Sequence, residues 1–298
     1  MTDATDATDD AGEDADEADA AATAETDAAA STESDEARYC YCAVAVEEGS
    51  DDRSLDLLGV DDEPVRLLAE GDVGLLVHDC AGLYDSEDPT EVQGWLLSHQ
   101  AIVDAATEEF GTPVPFRFDT IVQGDDGTVR SWLTERGDRL ADILGDLAGC
   151  AEYRIEVLVD EETLDEHLAE TDDRLQELAD QRDDSEEGTA FLVDKQYDQR
   201  LTELRRERRA ARTESLAEDV AAHAREVQEL DDPTTTLGDT PDREGTVQAR
   251  LTLLADDEGV DAVGAILDDV AAEEGVSVRF TGPWPPYSFV PEVDDETA

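Results

Sequence analysis

Histidine, cysteine and closely spaced carboxylates are the side chains through which a chain most often does chemistry, and this 298-residue sequence arranges few of them usefully. Its four histidines, His78, His99, His167 and His223, are scattered through separate stretches. His78-Asp79-Cys80 sets three reactive types in a row. Neighbours on a strand point to alternate faces, however, and a catalytic trio assembles in space rather than along the chain. A hydrolase working through His78 or Cys80 would rest on that run alone. His99 and His223 fall on apolar helical stripes, where a packing histidine with satisfied nitrogens is expected. Cys40 and Cys42, two apart on an expected strand, should share one face. No CxxC and no paired histidine completes a metal site around them. With Cys80 and Cys150 they read as small buried hydrophobes rather than as a disulfide framework. Carboxylate pairs carry no signal where 81 acidic residues guarantee them. P-loop, G-x-S-x-G, H-E-x-x-H and dinucleotide fingerprints are all missing. The residues point to no catalytic centre, no cofactor and no metal.

Charge dominates the composition. Against the 81 acidic residues stand 21 basic ones, a formal net charge of −60, and Lys195 is the only lysine. Such a chain repels itself in dilute buffer, whereas at molar salt the Debye length falls to about 3 Å and the repulsion is screened. An acid-rich, lysine-poor chain suits a halophilic, high-salt cytoplasm. The same charge argues against nucleic acid and against an anionic membrane surface. No apolar run reaches the roughly 18 residues of a membrane span. The N-terminus shows no secretory signal, so a soluble, intracellular protein is expected. One basic island stands out: Lys195, Arg200, Arg205, Arg206, Arg208, Arg209 and Arg212. An RNA-binding helix is one reading of it. A solvated face with local ion pairs, such as Glu203 with Arg206, is the plainer one.

The elements that would position these residues can be read in order. Residues 1–37 form an acidic tail with nothing to bury, expected to be disordered. Tyr39 to Val46 should be a strand, with Cys40, Cys42, Val44 and Val46 on one face. A polar loop follows, then two short strands, Val65–Leu68 and Gly74–His78. Asp88-Pro89-Thr90-Glu91 opens a helix whose stripe runs through Val92, Leu96, His99, Val103, Ala106 and Phe110. Thr112–Val122 is extended and punctuated by Pro113 and Pro115. A second helix ends near Gly149, and Tyr153–Val159 is read as the strand closing an N-terminal domain of residues 38–160. The class expected is α+β: a ferredoxin-like N-terminal domain with its helices on one face of an antiparallel sheet. Residues 161–291 should form a second α/β domain with a long helical pair, one helix over 162–180 and the other from Phe191 to about Leu230. A β-α-β piece follows from Val247 to Phe280, and residues 292–298 should fray.

That last strand leads into Gly282-Pro283-Trp284-Pro285-Pro286-Tyr287-Ser288-Phe289-Val290. Three prolines exclude a helix and stiffen the segment, which presents Trp284, Tyr287 and Phe289. Rings of this size commonly close a core, and Trp and Tyr are also favoured at binding hot spots.

The stretch resembles the C-terminal signature of the GvpF/GvpL family of gas-vesicle accessory proteins, and other landmarks recur in family order. They are Tyr39-Cys40-Tyr41-Cys42-Ala43-Val44, His99 with Val103, Pro113-Val114-Pro115-Phe116-Arg117-Phe118-Asp119-Thr120, and Gly188-Thr189-Ala190-Phe191-Leu192 at a helix entry. The sequence is similar to the haloarchaeal GvpL branch. Asp119 departs from the pattern, standing where the family usually has glycine, though Asp also tolerates turns. The acidic tail is an addition to it. The resemblance implies a non-enzymatic protein of gas-vesicle formation, associated with vesicles in the cytoplasm. It also implies two partners, the hydrophobic shell subunit and other accessory proteins. Phe116, Arg117, Trp284 and Tyr287 are the candidate contacts, with core packing the competing role for the rings. The alternative carried beside it is a ferredoxin-like module that binds a small regulatory ligand.

Overall fold

A computed structural model describes residues 36–230 and 245–291. The expected tail up to residue 35, the polar loop 231–244 and the fraying C-terminus lie outside the described residues. The chain is α+β with antiparallel sheets.

The first sheet takes β1 (Ala37–Ala45), β2 (Arg53–Leu58), β3 (Pro64–Glu70) and β4 (Val73–Cys80), then β5 (Val114–Pro115) and β6 (Ile121–Gln123). Its order is β2-β3-β4-β1-β5, with β6 also paired to β1. Ala37 already pairs with Cys80 and Gln123, one residue ahead of the expected start of order. β2 is a strand where a polar loop was expected; its exposed residues hide the alternation on which a sequence reading depends.

Two helices complete this half, α1 (Pro89–Phe110), capped by Asp88, and α2 (Asp126–Leu147), capped by Asp125. They cover opposite faces of the sheet, not one face as expected. Ile102, Val103 and Ala106 of α1 pack with Tyr39, Tyr41, Leu67 and Leu76. Val129, Leu133 and Leu140 of α2 pack with Cys40, Leu68, Leu75 and Val77. The reason lies in β3 and β4, where Leu67-Leu68 and Leu75-Leu76-Val77 are apolar on both sides and so require cover on both.

β1 carries a bulge between Cys40 and Cys42. An extra residue shifts the alternation by one, so Cys40 joins the core beneath α2 while Cys42 and Val44 join that beneath α1. The two thiols expected on one face therefore lie in separate clusters.

The second sheet holds β7 (Ala151–Val159), β8 (Glu226–Glu229), β9 (Thr246–Ala255) and β10 (Val276–Trp284), in the order β10-β7-β9-β8. Between β7 and β8 come α3 (Glu161–Thr171), α4 (Asp173–Asp183) and α5 (Glu187–Ala221), and α6 (Asp257–Ala271) joins β9 to β10. Strand and helix sequence here trace the split β-α-β-β-α-β plan, so the ferredoxin-like order belongs to this half, and the first half is built on a β2-β3-β4-β1 Greek-key order. β7, expected to close the first sheet, is instead central to the second, between β9 and β10. The single helix expected over 162–180 is broken at Asp172, whose side chain accepts the N–H of Leu175 and caps α4. α5 stops at Ala221, and the stretch holding Val227, expected to be helical, is β8, an edge strand paired with β9. Helix and strand compete over such a short amphipathic stretch, and pairing with a formed neighbour decides it.

α5 pairs with α4 through Leu175 and Leu178 and reaches the sheet through Leu216 and Val220. Much of its basic island is engaged internally. Arg200 binds Asp172 and Glu203 at 2.8 Å, Arg205 binds Glu161 at 2.9 Å and also Asp165, and Arg212 binds Glu273. Both sheets lie within one compact unit. Their cores meet where Leu254 of β9 and Phe289 join Ile143, Leu147 and Cys150.

Candidate interaction surface

The strap begins inside β10. Pairing with β7 is regular from Val276 to Thr281, shifts register, and resumes with Trp284 opposite Glu152. Gly282 occupies the shift at φ 139°, and a Cβ there would come within 2.6 Å of the Tyr153 ring and 2.9 Å of the Glu152 carbonyl oxygen. Only glycine meets both conditions. The Gly282–Pro283 peptide bond is cis.

Beyond this point the segment divides. Pro285 and Pro286 are buried, Tyr287–Phe289 make a single 3-10 turn, and Phe289 enters the joint core. Glu152 anchors the turn. Its carboxylate, with no exposed surface, accepts the Ser288 N–H at 2.8 Å and the Ser288 hydroxyl at 2.9 Å, and Arg154 donates to the same group at 3.0 Å. A buried charge is tolerable only with partners of this kind. Half-buried Tyr287 has its phenol pushed well above the ordinary value by burial. Trp284, by contrast, is 45% exposed.

The other proline-punctuated stretch is fixed from within by paired tyrosines and histidines. The Tyr39 hydroxyl accepts the N–H of Asp119 at 3.1 Å and lies 2.8 Å from Nδ1 of His99. Nε2 of His99 is 3.1 Å from the Phe116 carbonyl, which can only accept, so the proton sits on Nε2 and Tyr39 donates to Nδ1. Beside this chain runs a second. The Tyr41 hydroxyl accepts the Val60 N–H at 2.8 Å and meets Nδ1 of His78 at 2.7 Å, and Nε2 of His78 meets the Tyr84 hydroxyl at 2.8 Å. Gly59 allows the approach, since a Cβ there would lie 1.8 Å from the Tyr41 hydroxyl. Burial holds both imidazoles neutral and lowers their pKa values to about 4.

The first chain ends on backbone groups at both ends and the second on the Val60 N–H and the Tyr84 hydroxyl, so both hold the loops and turns that carry these groups. Asp119 is the clearest case. It adopts φ 68°, the left-handed conformation in which glycine is most at ease. Its own carboxylate accepts the Tyr84 N–H at 3.0 Å, which secures the turn without glycine. Among the described residues no group of His, Cys, Asp and Glu could hold a metal ion.

Phe116 is partly buried, with its ring edge-on to Trp132 at 6.2 Å between centroids. It packs on the same core cluster as Phe289 and Val290, whereas Arg117 is exposed. The four sequence candidates therefore fall into two kinds: Phe116 and Tyr287 largely inside, Arg117 and Trp284 at the surface. Two exposed apolar residues missed by that choice are Phe191 and Leu192, 66% and 58% exposed in the second turn of α5. Their signal was an apolar pair after Glu186-Glu187-Gly188-Thr189-Ala190 with no periodic partner. Glu152 was missed as well, because one more acidic residue carries no signal in this composition.

This two-sheet α+β architecture is shared with a solved gas-vesicle protein. The crystal structure of GvpF from Anabaena sp. PCC7120 superposes with a TM-score of 0.64 at 18% identity, covering 86% of this chain and 99% of that one. The family model for the gas vesicle synthesis proteins GvpL/GvpF matches residues 37–291. Gas vesicle protein L2 of Halobacterium salinarum is 41% identical over 256 residues, 86% of this chain and 92% of the relative. Gas vesicle protein L of Haloferax mediterranei is 41% identical over 235 residues, 79% and 73% of the two chains. The chain belongs to the GvpL/GvpF family of gas vesicle synthesis proteins.

Proposed function

We propose that the protein is a non-enzymatic assembly factor of gas vesicles that binds the hydrophobic shell subunit and other accessory proteins in the cytoplasm of a halophilic cell. Its family supports the gas-vesicle role. The observation that carries the binding role is the exposure of Trp284 on a strap anchored by Phe289 and Glu152. A rigid ring at the surface loses little side-chain entropy on binding. Phe191 and Leu192 offer a second apolar contact, and Arg117 and Tyr287 are further candidate contacts. High salt strengthens apolar contact and screens the net charge of −60, so the association should be mainly hydrophobic. None of the described helices is long and apolar enough to cross a membrane, and the charge argues against nucleic acid as partner.

Co-purification with the shell subunit in multimolar KCl tests the reading. Wild type should retain the subunit, and Trp284→Ala/Tyr287→Ala, shown folded by circular dichroism, should lose it. If wild type captures no shell subunit, direct binding is excluded and other accessory proteins are its partners. Retention by both proteins would leave the shell-binding role standing and remove the strap from it.

A further inference from the structure

The second sheet stops one strand short of covering its own core. β10 is its outer strand, paired with β7, and among the described residues no strand pairs with its other edge. The register fixes which groups that edge offers. The Asp160 N–H donates to the Gly275 carbonyl at 2.8 Å, and Val276 lies opposite Val159. Residues of an antiparallel pair exchange hydrogen bonds at every second position. Ser277, Arg279 and Thr281 therefore bond inward to β7, while Val276, Val278 and Phe280 turn their N–H and carbonyl groups outward. The Val276 N–H is taken by the Glu273 carbonyl at 3.3 Å, and no described residue takes those of Val278 and Phe280.

Side-chain burial agrees with this. Val278 and Phe280 pack on the core formed with α5 and α6 yet stay partly exposed, whereas Val157 and Ile155, their neighbours across the ladder, are fully buried. One more strand would complete the cover. The other sheet edges are poorer templates. β8 has four residues, two of them Glu226 and Glu229, β5 has two, and β2 pairs irregularly. From Val276 to Thr281, β10 pairs regularly and carries no proline and one charge, Arg279. The Arg279 guanidinium comes within 3.9 Å of Glu156, a carboxylate that Arg250 already holds at 2.8 Å. Trp284 stands exposed at the end of the same strand.

We propose that the shell subunit docks by strand addition: an extended segment of it pairs with the outer edge of β10, sets alternate apolar side chains beside Val278 and Phe280, and places a carboxylate by Arg279. The inference rests on the shell-binding reading and gives it a geometry, with Trp284 flanking the end of the added strand. In docking of this kind main-chain hydrogen bonds supply affinity and alternate side chains supply specificity. Surface charge is screened in molar salt while apolar burial is strengthened, so the mode suits a protein of net charge −60.

The test joins site-resolved amide hydrogen exchange to capture of the shell subunit, both on the full chain in multimolar KCl. In the free protein the Val278 and Phe280 amides should exchange at least tenfold faster than those of Ser277 and Arg279, and added subunit should slow them at least tenfold. Val278→Pro removes an outward N–H and no internal hydrogen bond, at an edge position where a strand admits proline. It should fold, by circular dichroism, and lose the subunit, while Val278→Ala, which keeps the N–H, should retain it. The exchange measurement on wild type decides the matter even if the proline variant fails to fold. Slow exchange of both amides in the free protein would overturn the proposal, because the edge would then be covered by this chain or, if the slowing grows with protein concentration, by a second copy. Undiminished capture by folded Val278→Pro would overturn it too and leave shell binding to another surface. No capture by wild type would remove the shell-binding reading and the strand addition together.

Discussion

Two aromatic stretches frame this protein, and they use their rings in opposite ways. In β1, Tyr39 and Tyr41 are wholly buried, and both hydroxyls are committed to histidines and to backbone N–H groups. In the strap, Phe289 is buried, Tyr287 half-buried and Trp284 open to solvent. A buried phenol needs a polar partner at its tip, so β1 comes with an internal scaffold of His78, His99 and Tyr84. The strap is held instead by one buried carboxylate and one apolar plug, and its tryptophan stays 45% exposed. Aromatic content alone therefore does not mark an interaction site; what the hydroxyls and ring faces are already doing decides it.

The largest effect should come from the plug. Phe289→Ala removes a ring from the joint core and should cost about 3–5 kcal/mol, read as a lower denaturant midpoint at unchanged slope. A loss within about 0.5 kcal/mol would mean that the strap is not anchored there. Next in size is Tyr41→Phe, which strands the Val60 N–H and His78 inside the protein and should cost about 1–3 kcal/mol. If the phenylalanine variant is as stable as wild type, the hydroxyl is dispensable and the comparison loses its basis.

The histidines make a pH test. Their folded pKa values, about 4, lie below the ordinary 6.5, so an unfolded chain takes up protons first as the solution is acidified. Their contribution is complete above pH 6.5 and is lost as pH falls towards 4. Carboxylates titrate over part of this range, so the quantity to follow is wild type minus His99→Gln, whose amide carries no charge at any pH. That difference should shrink steadily below pH 6.5; a flat difference would mean that His99 is not held neutral. Trp284→Ala should have the smallest effect on stability, within about 1 kcal/mol, and a larger loss would show the ring to be packed.

Much of this was legible in the sequence and some was not. Asp88-Pro89 announced α1 and the proline runs marked both extended segments, because caps and prolines act locally. His99 was readable as a packing histidine from its place on an apolar stripe. Local rules failed where tertiary contact decides. The bulge at Cys40–Cys42 reverses a face with no change in residue types, and the stretch of β8 reads as helix until β9 is beside it. β7 could not be assigned to its sheet from its own residues, since a strand does not state its neighbours. At the strap, the sequence revealed the rings but not the division between anchor and display, which depends on Glu152, a residue 130 positions or more away in the chain.

We propose that Trp284 is held out for a partner while Tyr39, Tyr41 and Phe289 are occupied within the fold. Hydroxyl-radical labelling of the three tryptophans, with and without the shell subunit in multimolar KCl, tests it most directly. Trp95, which donates to Asp61 at 2.6 Å, and Trp132, edge-on to Phe116, serve as internal references. The account predicts strong labelling of Trp284 in the free protein and protection on adding the subunit, with Trp95 and Trp132 unchanged. Equal labelling of Trp284 in the presence of bound subunit would contradict it.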